Sequence, residues 1–281
     1  GDWSSDVCSS DLLKKILISE LLCLADSKWK LGHWYIKVML NSRTLTDATA
    51  FAGMSQDELG HTRALFRMME EVLDLPEHQL EFGRSSEQLH DMELLDRPPR
   101  NRGDFYLCAF LAEAALWRFL ATFKEGSLPE LANLVTHFGK ETYFHRLNID
   151  GWFKTLTPEE IDDITDALAQ RLPQVLSWFG HPEQADPLLD ARIRMTSMQE
   201  ARSLFIEEVL NKLTTQLGLD HELAAGLLDV AEHENWDSER RRPQGSSMPA
   251  ELWEFMVPTS EAAKLARRPL AVSIEDNIDL F

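Results

Sequence analysis

Cysteine is scarce. Three residues in 281, Cys8, Cys23 and Cys108, are too few and too scattered for a disulfide scaffold or a zinc site, which points to a reducing compartment, the cytoplasm. Glycine (13) and proline (12) are few as well, no strand pattern of consequence and no internal repeat is present, and an apolar share of 44% fits a helix-rich globular chain. Positive charge is short: 28 Lys+Arg stand against 47 Asp+Glu, a formal net charge of −19 that argues against nucleic acid or an anionic membrane as partner. No basic region precedes an apolar core, so nothing at the start reads as a secretory signal. One apolar run, Phe105 to Phe123, is about long enough to span a bilayer, but Glu113 and Arg118 in its interior make it a buried bundle helix.

What is present is helical periodicity. A first helix is expected over about 13–40, with Leu17, Leu21, Leu24, Lys28, Leu31, Tyr35 and Val38 on one stripe and Lys28 as its only charge. The short turn 41–43 makes the next helix its antiparallel neighbour, capped by Thr44 or Thr46 and ending near Asp74, before Pro76. A polar stretch follows, with the basic loop 97–103 as its turn signal. A third helix is expected to start at Asp104 as N-cap and to align Tyr106, Phe110, Glu113, Trp117 and Leu120. The fourth aligns Leu131, Val135, Phe138, Thr142, His145, Ile149 and Trp152. Thr157-Pro158-Glu159-Glu160 opens a fifth, which Pro173 is expected to kink or end. Amphipathic helices over 197–217 and from His221 complete an all-α chain.

On the second helix Phe51, Met54, Glu58, His61, Leu65, Met68 and Val72 share one face, apolar except at Glu58 and His61. Buried acids and imidazoles are costly unless paired. An E-x-x-H pair facing into a bundle is half of the ligand set of ferritin-like di-iron carboxylate proteins, which take one Glu from each of two helices and a Glu-x-x-His from each of two others. The other stripes place Lys28, Glu113, Thr142 and His145 at similar depth. Hard carboxylate oxygens bridging two cations, with imidazoles completing each shell, suit iron.

The runs Leu31-Gly-His33, Gln56-Asp-Glu-Leu-Gly-His61, Leu95-Asp-Arg-Pro98 and Lys140-Glu-Thr-Tyr-Phe-His145 resemble the phenylacetate-catabolism family, over roughly 13–217. That family contains the catalytic and the structural subunits of the bacterial phenylacetyl-CoA ring epoxidase. The spacing is closer to the structural subunit, which shares the ferritin-like fold and holds the catalytic one in a complex. The resemblance implies Glu58, His61, Glu113 and His145 as metal ligands or their remnant. Thr142 stands where the second motif carries its glutamate, with Glu141 directed about 100° away around the helix. Lys28 stands where the first-helix glutamate is expected, and Asp26 lies off the stripe.

The resulting expectations are a ferritin-like helical domain over 13–234 with additional C-terminal helices, and a charged, irregular tail over 235–281, mobile or docking. Residues 1–12, whose string Trp3 to Leu12 resembles translated sequencing-adapter remnants, are expected to be a non-native or disordered leader. The expected function is a structural subunit of a ring-epoxidising oxygenase. It would have no catalytic residues of its own, a cluster paired with Lys28 rather than metallated, a catalytic di-iron homologue as partner, and contact with a CoA thioester only through the complex. Two alternatives stay open. One is an iron-dependent oxygenase or oxidase using Glu58, His61, Glu113 and His145; the other is a ferritin-like protein recruited to another binding role. For His61 and His145 two hydrogen-bonded core histidines is the blander reading, and for the basic loop 97–102 a solvated surface loop is commoner than a site for the phosphates of a CoA ester.

Overall fold

The computed structural model describes residues 11–180, 185–229 and 235–257. Four long helices form the centre: α1 (Asp11–Met39), α2 (Leu45–Leu73), α4 (Arg102–Ala121) and α5 (Pro129–Lys154), with the short α3 (Glu77–Phe82) between the second and the third. Each of the four packs against two of the others, in the cyclic order α1, α2, α5, α4. Outside them lie α6 (Pro158–Trp178), α7 (Pro187–Asp190), α8 (Met198–Gln216), α9 (His221–Leu228) and α10 (Ala250–Met256). The fold is an all-α helical bundle, and among the described residues the only strands are the two-residue pair β1 (Trp236–Asp237) and β2 (Arg242–Pro243).

Helix ends follow local chemistry. Thr44 caps α2 by accepting from the Asp47 N–H at 3.1 Å, and α2 stops at Asp74, whose φ of 57° is left-handed. Thr157 and Glu160 form the reciprocal capping box at the start of α6. The expected cap at Asp104 is corrected: Asn101 is the N-cap of α4, accepting from Asp104 N at 2.9 Å. Asp104 lies inside the first turn, where the Arg171 guanidinium grips both its carboxylate oxygens at 2.8 Å. Of the two expectations at Pro173, a kink or an end, the end is corrected. α6 runs through it, because Val175, Leu176 and Trp178 are buried beyond the position where one backbone hydrogen bond is lost. The polar stretch after Asp74 holds α3 and two 3-10 turns.

α4 is apolar all round because the bundle covers one side and α6 and α8 cover the other. Among the described residues no helix is long and apolar enough to cross a membrane. α1 is buried on every residue from Glu20 to Tyr35, a continuous run that one apolar stripe does not account for. Lys28 is therefore not its only buried charge. Asp26 accepts from both ends of the Arg84 guanidinium at 2.6 and 2.7 Å, Lys30 donates to Asp91 at 2.5 Å and also contacts Asp96, and Glu20 binds Arg194 and Arg241. Burial would raise the Glu20 pKa, but Arg241 and Arg194 hold it below the ordinary carboxylate value.

Residues 235–257 of the segment expected to be an irregular tail carry β1, β2 and α10. There Arg240 donates to the Leu89 carbonyl at 2.8 Å, Arg241 reaches Glu20, and Arg242, fully buried, reaches Asp91 at 3.1 Å and Asp96. The rest of that segment, and residues 1–10 of the expected leader, lie outside the described residues; Asp11 and Leu12 belong to α1.

Candidate metal-type centre of the bundle

The residues singled out by sequence converge at the bundle centre. Lys28 comes from α1, Glu58 and His61 from α2, Glu113 from α4 and His145 from α5, and each is at most 2% exposed. The Lys28 ammonium lies 2.9 and 3.0 Å from the two Glu58 oxygens and 3.2 Å from His61 Nδ1. An ammonium has three N–H donors and no acceptor, so each has one partner and His61 Nδ1 must accept. The His61 proton then sits on Nε2, which donates to Glu141 Oε2 at 2.5 Å. His61 also stacks on Phe138, with ring centroids 3.9 Å apart.

Glu141 is thus nearer the centre than its position on the helix wheel suggests. The backbone direction does lie off the stripe, but the long side chain swings toward α2 and meets the outer nitrogen of His61. It closes the centre from outside and brings no carboxylate to the inner face. Thr142, buried on the His145 side of α5, stands at the inner position. Asp26 faces away, toward Arg84.

His145 lies between carboxylates on both sides. Its Nδ1 is 2.9 Å from Glu113 Oε1 and 3.6 Å from Glu58 Oε1, and its Nε2 is 3.1 Å from Asp57 Oδ2. Burial alone would lower its pKa, but Glu113, Asp57 and Glu58 together raise it to about 10, so the ring is an imidazolium that donates from both nitrogens at neutral pH. Burial likewise would raise Glu58, yet the Lys28 ammonium above all brings it down to about 2. Two cations, Lys28 and His145, therefore face two carboxylates, Glu58 and Glu113. Tyr35 donates its hydroxyl to Glu113 Oε1 at 2.8 Å; burial, with Glu113 and Glu58 beside it, pushes the phenol well above its ordinary pKa and keeps it a donor.

Tyr35, Asp57 and Glu141 are the partners that sequence reading missed. Tyr35 lies on the same α1 stripe as Lys28, Asp57 immediately precedes Glu58, and Glu141 is one helical turn before His145. Each was visible as a polar neighbour of a centre residue, but choosing among such neighbours requires side-chain direction. Glu113 keeps one oxygen, Oε2, buried with no hydrogen-bond partner among the described residues, and Glu113 lines a cavity of about 200 Å³ between α4, α5 and α8. One ligand atom each from Glu58, Glu113 and His145 lie within 4.8 Å of one another, a set that can hold one metal ion.

A family model described as phenylacetic acid catabolic protein matches residues 6–244. The chain belongs to this family. A comparison with curated proteins finds no match. Membership in the phenylacetic acid catabolic protein family makes the chain a component of phenylacetate catabolism.

Proposed function

We propose that the chain is a structural, non-catalytic subunit of a multicomponent oxygenase that epoxidises the aromatic ring of a phenylacetyl-CoA-type thioester. A catalytic di-iron homologue is its partner in the cytoplasm. One observation carries this reading: the Lys28 ammonium occupies the space between Glu58 and His61, donating to both carboxylate oxygens and to the ring nitrogen that would face a metal. With Thr142 in place of a second-motif carboxylate, two of the four acids of a two-metal set are replaced, one by a cation. The His145 imidazolium supplies the second positive charge, so the bundle keeps the electrostatic balance of the family's centre with protons in place of metal ions. Such a centre holds the four helices together and has no ferrous ion to activate O2. The family match over most of the chain supports a place in the catabolic assembly.

A second reading, an iron-dependent oxygenase or oxidase subunit, is favoured by the three converging ligand atoms of Glu58, Glu113 and His145 and the unpartnered Glu113 oxygen. Co-expression with a di-iron homologue carrying all four carboxylates, followed by size-exclusion chromatography, tests the proposal. Co-elution as a stoichiometric complex is expected. Separate elution at micromolar concentrations, with ring epoxidation by the homologue unaffected by this chain, would overturn it.

A further inference from the structure

The basic loop before α4 is exposed at Arg97, Pro98, Arg100, Asn101 and Arg102, as expected, but its backbone is held from inside. Arg171 of α6, 1% exposed, reaches into it and donates to the carbonyls of Leu94, Arg97 and Pro98 as well as to both oxygens of Asp104. Asp104 in turn accepts from the Arg100 N–H at 2.9 Å, and Asn101 caps the helix. At Gly103 a Cβ would lie 2.5 Å from Glu160 O and from Asp163 Cβ, so only glycine lets the start of α4 press this close to α6. A buried arginine, an internal carboxylate, a cap and a close backbone contact all fix the loop in one shape.

That shape forms the mouth of a cavity of about 280 Å³ at the end of the bundle, between the loop and the α1–α2 turn. Val38, Phe51, Phe105 and Tyr106 form its apolar walls. The aromatic walls are themselves rigid, since Phe51 and Phe105 meet edge to face at 5.3 Å, and Tyr106 stacks on Trp152 at 5.2 Å. Arg100 and Arg102 stand at the rim, half exposed. Among the described residues the Arg100 side chain is tied only through Nε, 3.3 Å from Asp104, and Arg102 makes only long contacts, 3.5 Å to the Asn41 carbonyl and 3.6 Å to Glu160. Arg43 lies over Tyr106, 5.2 Å from the ring centroid. In a chain of net charge −19, three guanidinium groups are gathered beside this cavity, with Glu160 3.5 Å from Arg43 and 3.6 Å from Arg102.

We propose that this cavity is a binding site for a small anion with an apolar body, an aromatic or short aliphatic carboxylate. The hydrocarbon part packs on Phe51, Phe105 and Tyr106, and the carboxylate is held at the rim by Arg100 and Arg102, whose fork geometry matches two oxygens. The positive end of α4 at the same rim adds to the attraction. The site is separate from the Lys28 cluster and does not depend on its metal state.

Titration calorimetry of the full chain with benzoate, hexanoate, inorganic phosphate and benzyl alcohol tests both halves of the recognition. Benzoate or hexanoate is expected to bind at least about tenfold more tightly than phosphate, which lacks the apolar body, or benzyl alcohol, which lacks the charge. Arg100→Ala with Arg102→Ala, on exposed side chains whose loss leaves the far-ultraviolet spectrum unchanged, should weaken carboxylate binding by about tenfold or more. Ser42→Phe, which fills the cavity while keeping both arginines, should abolish it. No heat with either carboxylate at millimolar concentration, equal binding of phosphate and benzoate, or binding indifferent to both variants would overturn the proposal.

Discussion

Removing the Lys28 ammonium while keeping its bulk, Lys28→Met, isolates the pair at the centre of the bundle. Both partners are buried, with Glu58 fully so, and both oxygens of Glu58 are bonded to the ammonium at 2.9 and 3.0 Å. Taking away one member leaves a buried carboxylate without its ammonium, and breaking such a pair costs about 3–5 kcal/mol. At about 2–4 °C per kcal/mol for a chain of this size, the melting temperature at pH 7 should fall by roughly 10 °C. The pH dependence carries the same signature. Glu58 is depressed to about 2 in the native protein, so its stabilising contribution is present above the ordinary carboxylate pKa of about 4.3 and is lost as pH falls toward 2. In Lys28→Met that contribution is gone, and the gap between the two proteins should narrow as the pH is lowered through this window. Glu58→Gln added to Lys28→Met removes the stranded charge and should recover at least about 2 kcal/mol, read as non-additivity in a double-mutant cycle by urea unfolding. An unchanged melting temperature for Lys28→Met, or strictly additive single changes, would refute the pairing argument.

Further outcomes follow from other parts of the molecule. Arg242→Ala strands Asp91 and Asp96 beside Lys30 and should destabilise the chain by about 3 kcal/mol or more, measured by thermal melting; a loss under about 0.5 kcal/mol would show that 235–257 does not hold α1. His145, raised to about 10, contributes stability that is fully present below its unfolded pKa of about 6.5 and is lost as pH rises through 10. His145→Gln should therefore flatten the alkaline limb of the stability profile, and an unchanged limb would contradict the imidazolium assignment. Gly103→Ala forces a Cβ against the α6 backbone at 2.5 Å and should cost about 1–3 kcal/mol in urea unfolding, with a neutral result excluding that close contact.

The four central helices and their inward residues were legible because burial on one face leaves a period of 3.6 in the sequence, and Lys28, Glu58, His61, Glu113 and His145 interrupt apolar stripes at matching depths. Residues whose burial comes from other segments left no such trace. Asp26, Lys30 and Glu20 lie on the far side of α1 and are buried by Arg84, the 89–96 segment and Arg240 to Arg242, distant in sequence. A run of three arginines reads as a solvated patch until its acids are known. Arg171 was similarly hidden: on α6 it looks like a surface charge, yet it fixes the loop before α4. Glu141 shows the limit of the helix wheel, which gives the direction of Cβ and not the reach of three further bonds.

The central claim, an ammonium in the place of metal, is tested most directly by the iron content of chain purified from iron-rich culture, set beside Lys28→Glu with Thr142→Glu. The native chain should hold less than about 0.1 iron per molecule, and the double variant, with hard carboxylates returned to both positions, should gain iron toward about two. One or two irons per molecule in the native chain would contradict the account.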